Sequence, residues 1–291
     1  MRTLPLHLHS FFQQLRIPQS DSHKGQNGKL LIVGGSELFH AASRWSLDVA
    51  SCFVDMVFYS SVPSNNDLIQ EAKGQFWNGI VVKREEVEEY AKEADCILIG
   101  PGMTRSEDTT QVTEQLVAKF SDKKWVIDAG ALQMISPQLL NKNMIITPHL
   151  RELVMLLAKI EGQEEASVQE KLLTASDADF QAWCQKLNGI TLLLKGKVDR
   201  VCTVDQVISI EGGDPGMTKG GTGDVLAGLV AALACTNDLL TASVVGSIVN
   251  KRAGEVLAEK YGSFFNASML ITAVPEALWQ LRTGKASENP S

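Results

Sequence analysis

What most constrains this chain is a repeated change of period along it. Short apolar runs suited to buried strands alternate with longer amphipathic stretches, and the runs stop on glycine or polar residues. Residues 29–33 read as a buried strand ending at Gly34-Gly35-Ser36, residues 41–54 as a helix and residues 56–60 as the next strand. The charged stretch 84–94 sets Val87, Tyr90, Ala91 and Ala94 at helical spacing. A strand over 95–99 stops at Gly100-Pro101-Gly102, and a helix follows over 107–120. Strands at 125–127 and 144–146, helices around 150–158 and 177–187, and a β-rich run at 190–194 continue the pattern. Residues 200–203 and 206–210 read as a hairpin turning near Asp205, and the chain from Gly223 onward as nearly all helix. This order predicts an α/β fold, a mainly parallel sheet with helices on both faces.

At about 150 residues per domain, a length of 291 suggests two domains. The pattern has no linker, however, so one large domain is expected over 23–283, after a polar, irregular arm over 1–22 and before a polar tail over 284–291. Hydrophobic residues at 44% and charged residues at 21% exclude disorder as the main state. The apolar runs are too short to span a bilayer, and residues 1–10 hold no secretory apolar core, so neither a membrane nor a secretory role is expected. A net charge of −7 argues against a nucleic-acid binder that works by neutralising phosphates. The five cysteines contain no C-x-x-C pair, which excludes a local zinc knuckle and fits a reducing, cytoplasmic compartment.

In open α/β sheets, ligands bind beyond the carboxyl ends of the strands. Five predicted strands end in Gly34-Gly35-Ser36, Gly100-Pro101-Gly102, Asp128-Ala129-Gly130, Thr147-Pro148-His149 and Lys195-Gly196. One such ending is ordinary turn chemistry, whereas five on one edge predict a cleft floored by backbone. The strongest signal is the glycine-rich run from Gly212 to Gly223, which enters an apolar, small-residue helix. The amides of Gly221, Thr222, Gly223 and Asp224 would form its first turn, where they lack intrahelical partners and meet the positive end of the helix dipole. Asp224 is either a helix-start carboxylate or a general base for a hydroxyl attacking phosphorus. The run matches neither a Walker A loop nor a dinucleotide fingerprint.

Gly220-Gly221-Thr222-Gly223-Asp224 resembles the anion-hole motif of ribokinase-like kinases. Together with His23-Lys24-Gly25, Val33-Gly34-Gly35-Ser36, Ile99-Gly100-Pro101-Gly102, Ile127-Asp128-Ala129-Gly130-Ala131-Leu132, Thr147-Pro148-His149 with Glu152, and Leu194-Lys195-Gly196, it resembles the NAD(P)H-hydrate dehydratase family. These pieces run in family order from about residue 23 to about 275.

The resemblance implies a ribokinase-like three-layer sandwich and a repair reaction. ADP or ATP would be used to remove water from the hydrated nicotinamide of NADHX or NADPHX. Asp224 would be the catalytic base, with Gly221, Thr222, Gly223 and Asp224 as the anion hole. Nucleotide contacts would fall on Lys195, Gly196, Lys197, Val198, Asp199 and Gly223, and hydrate contacts on Ala42, Gly102, His149 and Asp224. Magnesium is implied with the nucleotide, but its ligands are not readable and no carboxylate cage is evident.

Five residues depart from the family pattern. Ala41 precedes Ala42 where Gly is frequent, Asp214 stands for Asn, Asp199 for Thr, and Leu150-Arg151 for Pro-Gly. The motifs start too early to leave room for the N-terminal epimerase domain of many bacterial members, so a separate epimerase is expected. A homo-oligomer is also expected, because the helices around 253–257 and 267–281 are apolar on one side; packing on the sheet is the other use for that face. Two rivals remain open at this level: a vitamin or sugar kinase of the same fold, and a nucleotide-binding regulator without catalysis.

Overall fold

The computed structural model describes residues 5–74 and 78–284. Nine strands build one sheet: β1 Lys29–Val33, β2 Met56–Ser60, β3 Ile80–Val81, β4 Cys96–Ile99, β5 Lys124–Ile127, β6 Met144–Ile146, β7 Thr191–Leu194, β8 Asp199–Cys202 and β9 Val207–Ile210. Their order is β3-β2-β1-β4-β5-β6-β7-β8-β9. Every neighbouring pair from β3 to β7 is parallel, whereas β7-β8 and β8-β9 are antiparallel, so the expected hairpin extends a parallel sheet.

The strands read as continuous apolar runs because both faces are covered. Alternate residues serve opposite cores: Leu30, Ile32, Cys96 and Leu98 face one, Leu31, Val33, Ile97 and Ile99 the other. The first core is roofed mainly by α1 Leu6–Gln14, α2 His40–Ala50, α10 Thr222–Thr236, α11 Leu239–Tyr261 and α12 Ala267–Thr283, with α3 Pro63–Glu71 beside β3. The second lies beneath α4 Val87–Glu93, α5 Glu107–Lys119, α6 Ala129–Met134, α7 Leu150–Glu161, α8 Glu165–Leu173 and α9 Asp177–Lys186.

α10 is buried along nearly its whole length between the sheet and its neighbouring helices, which is why its sequence is apolar all round. Its small residues allow close crossings. A Cβ on Gly228 would stand 2.6 Å from backbone atoms of Ser46 in α2.

One expectation changes here. Residues 6–14 are no irregular arm: they form α1, and Leu8, Phe12 and Leu15 are buried in the first core. The apolar faces of α11 and α12 are used inside the chain, with Ala253, Leu257, Leu270, Val274 and Ala277 buried there; the sequence pattern that suggested an oligomer contact is thereby accounted for. Cys52 is exposed, whereas Cys96, Cys184, Cys202 and Cys235 are buried. The polar tail past Gly284 lies outside the described residues.

Candidate active site

Parallel pairing brings the carboxyl ends of β1, β4, β5, β6 and β7 to one edge, and three groups of residues assemble there. The first is bare backbone. The Gly35 amide donates to Pro101 O at 2.7 Å, and a Cβ on Gly34 would fall 2.6 Å from that same oxygen. Gly102 has φ +73°, and a Cβ there would meet Phe39 O at 2.7 Å and the Ala42 methyl at 3.0 Å. Ala42 and Gly102, both predicted hydrate contacts, are therefore neighbours.

The second group is ionic. Lys195 Nζ lies 2.8 Å from Asp128 Oδ1, and Thr147 Oγ1 donates to the same oxygen at 2.7 Å. Asp128 is buried, and although it occupies the N-cap position of α6 its side chain makes no capping hydrogen bond. Nor is Lys195 an ordinary exposed turn lysine. Burial pulls its pKa down, but the carboxylates of Asp128, Glu152 and Asp224 outweigh that and hold it above the usual lysine value. Its backbone is fixed by the Lys195 N–H donating to Pro148 O at 2.8 Å.

His149 is exposed and starts α7 in a reciprocal cap: the Glu152 amide donates to His149 Nδ1 at 3.2 Å, and the His149 amide to Glu152 Oε2 at 2.9 Å. Glu152 also accepts from Gln133 Nε2 at 2.7 Å.

The third group is the start of α10. Gly221, at φ +95°, is its N-cap, and no side chain caps the helix. A Cβ on Gly221 would stand 2.4 Å from the Trp45 ring, so glycine is required by both space and backbone. Thr222 Oγ1 donates back to Met217 O at 2.5 Å and Lys219 O at 3.0 Å, which ties the glycine loop to the helix. Ser46 Oγ donates to Asp224 O at 2.8 Å and anchors the first turn on α2.

Gly223 faces the ionic group, since a Cβ there would be 3.6 Å from Lys195 Nζ. The Asp224 carboxyl is pushed up to about 7, chiefly by burial and further by the Asp128 carboxylate, with Lys195 pulling the other way. A half-ionised carboxyl beside uncapped helix amides can take a proton from a hydroxyl while those amides and Lys195 hold a phosphoryl group.

The predicted nucleotide segment separates into two parts. Gly196, Lys197 and Val198 are exposed between β7 and β8, whereas Asp199 is buried. The Asp199 carboxylate accepts from the Gly196 amide at 2.8 Å and from Ser247 Oγ at 2.7 Å, so it shapes the loop from within. The sequence reading missed two residues here: Ser247 and Lys251, on α11, both reach this turn. Ser247 and Lys251 stand among other polar residues of α11, so nothing in the sequence singles them out. Among the described residues no group of three or more His, Cys, Asp or Glu is arranged to hold a metal ion.

A nine-stranded, mostly parallel sheet whose strand ends face a glycine-headed helix is the ribokinase-like architecture. The chain is similar to a solved ribokinase-like superfamily protein from Enterococcus faecalis (TM-score 0.80, 21% identity, covering 97% of this chain and 99% of that one). It is likewise similar to the ADP/ATP-dependent NAD(P)H-hydrate dehydratase of Bacillus subtilis co-crystallised with ATP and Mg2+ (TM-score 0.73, 20% identity, covering 94% of this chain and 97% of that one).

Within that architecture the chain belongs to the NAD(P)H-hydrate dehydratase family, whose model matches residues 30–276. It is 31% identical over 271 residues to a bifunctional NAD(P)H-hydrate repair enzyme of Methanocaldococcus jannaschii, covering 91% of this chain and 50% of that protein. It is also 31% identical over 271 residues to an ADP-dependent (S)-NAD(P)H-hydrate dehydratase of Nitrosopumilus maritimus, covering 88% of this chain and 90% of that protein. The chain thus spans about half the length of the bifunctional relatives and nearly the whole length of the shorter one.

Proposed function

We propose that this protein restores NADH or NADPH from its hydrated form, (S)-NADHX or (S)-NADPHX, with ADP or ATP as co-substrate. The observation that carries this reading is Asp224: a carboxyl poised at about 7, on the first turn of an uncapped helix and within the field of Lys195. Hydroxide is a poor leaving group and phosphate a good one. Asp224 takes the proton of the ring hydroxyl as its oxygen attacks the terminal phosphorus, and the bond from that phosphorus to the rest of the nucleotide breaks. The amides of Gly221, Thr222, Gly223 and Asp224 and the ammonium of Lys195 stabilise the charge on the moving phosphoryl group. The ring nitrogen's electron pair then expels phosphate, and loss of a proton from the neighbouring ring carbon restores the double bond.

Gly196, Lys197 and Val198 present the exposed side of the nucleotide segment, and Asp199 supports it from beneath. Ala42, Gly102 and His149 border the hydrate side. Among the described residues no carboxylate cage for magnesium is built, and Asp128 is already held by Lys195 and Thr147. A magnesium ion would enter on the nucleotide's phosphates with its waters. A cytoplasmic location suits substrates of this kind, and an epimerase activity that delivers the reactive epimer belongs beside it.

The test is to incubate the protein with NADHX or NADPHX, magnesium and either ADP or ATP, and to follow the absorbance of the reduced cofactor. Recovery with release of inorganic phosphate is expected. Consumption of nucleotide with a stable phosphate ester would instead mark a kinase, and recovery with neither nucleotide would overturn the proposal.

A further inference from the structure

A charged side chain buried 55 residues from the loop it touches calls for an explanation. Lys251, in the middle of α11, is 6% exposed. Its ammonium donates to Gly196 O at 3.0 Å, Lys197 O at 3.2 Å and Gly212 O at 3.5 Å, and Asp199 Oδ1 lies 3.3 Å away. Three backbone carbonyls and a carboxylate converging on one point are the ligand set of a cation. Burying a charge is tolerable only where such partners replace the lost water.

The two segments held are distant in sequence. One is the turn between β7 and β8; the other, at Gly212, follows β9 and opens the glycine loop leading to Gly221. One helical turn further on, Glu255 Oε1 accepts from the Gly213 amide at 3.1 Å, so the same face of α11 grips the glycine loop twice. Gly212 and Gly213, at φ +113° and +84°, bend sharply to offer these groups.

We propose that Lys251 is a positioning residue acting as a tethered cation: its ammonium joins the 196–199 turn to the start of the glycine loop and so sets the shape of the nucleotide cradle. This rests on the nucleotide reading above. It makes a prediction that general packing does not: removing the side chain leaves a carbonyl and carboxylate cage that a free monovalent cation of similar size fills.

The experiment measures ADP and ATP affinity by calorimetry for the wild type, Lys251→Ala and Lys251→Met, in buffers of tetramethylammonium, ammonium or potassium. Amide hydrogen exchange at 196–199 and 212–213 is followed in parallel without nucleotide. In tetramethylammonium, both variants are expected to bind nucleotide ~10-fold or more weakly, because the loosened cradle must be ordered on binding. Both should exchange faster at the two segments. Ammonium or potassium should restore Lys251→Ala, but not Lys251→Met, whose side chain fills the cage without a charge.

Unchanged affinity and exchange in either variant would overturn the proposal, as would a Lys251→Ala defect indifferent to all three cations. If the alanine variant fails to fold, Lys251→Met still decides on affinity and exchange. If the wild type binds no nucleotide, the nucleotide reading fails, while the exchange data still test the tether.

Discussion

Ionising Asp224 costs free energy because burial strips water from the charge and, secondarily, because the Asp128 carboxylate lies nearby. Its carboxyl titrates at about 7, against 3.8 for an ordinary aspartate. The folded chain therefore holds this proton more tightly than the unfolded chain does. Asp224 contributes stability that is complete below 3.8 and is lost as pH rises through about 7. Asp224→Asn should relieve this penalty, so the variant gains on the wild type between pH 5 and pH 8 by up to roughly 4 kcal/mol, read from urea unfolding at each pH. Turnover has the opposite dependence. The base must be ionised, so the rate should rise through a limb near 7, and Asp224→Asn should lose at least ~100-fold in turnover while still binding nucleotide. A variant with unchanged turnover would place the base elsewhere.

Lys195 gives a paired prediction. Lys195→Met leaves the Asp128 carboxylate buried without its cation, which should destabilise the fold by about 3–5 kcal/mol. It should also move the pH limb upward, since the ammonium is what lowers the Asp224 pKa. These roles of Asp128 and Lys195 were only half legible in the sequence. Their positions at strand ends were readable, but their pairing spans 67 residues and depends on β5 and β7 flanking β6.

Among elements, α10 carries the strictest geometry. Its first turn carries the amides proposed to hold the phosphoryl group, while its body crosses α2 so closely that a Cβ on Gly228 would stand 2.6 Å from the Ser46 backbone. Moving the helix to relieve a clash would also move Asp224, whose carbonyl is held by Ser46 Oγ. Gly228→Ala should therefore destabilise by about 1–3 kcal/mol through overpacking and, by shifting the first turn, lower turnover; thermal unfolding and steady-state rates check both. If activity stayed intact in a destabilised variant, crossing and chemistry would be uncoupled.

The elements that could be read directly were an unbroken apolar run bounded by polar residues and a long amphipathic stretch. β6 falls at 144–146 and α5 over Glu107–Lys119, close to their expected bounds. The two-residue β3 and the first helix escaped for different reasons. β3 is too short for any period to register. α1 does carry Leu8, Phe12 and Leu15 at helical spacing, but His7, His9, Ser10, Gln13 and Gln14 dilute them, and only the tertiary face that receives them makes the stripe meaningful.

At the scale of the whole molecule, that first helix closes the core on the side of the sheet opposite α4–α9. It packs against α11 and α12, and α11 also backs β7 to β9 and holds the 196–199 turn through Ser247 and Lys251. Burying three large apolar side chains contributes several kcal/mol at roughly 1.5–3 kcal/mol each, offset in part by the entropy of ordering the segment. A chain lacking residues 1–16 should therefore unfold at a temperature lower by on the order of 5 °C or more, with its exposed groove drawing added apolar dye. Because α1 packs mainly on α11 and α12, nucleotide affinity measured well below that transition should stay within about threefold of the full chain. An equal unfolding temperature would mean that α1 is an appendage after all. A large loss of affinity in the cold would mean that α11 relays strain from the first core to the nucleotide turn.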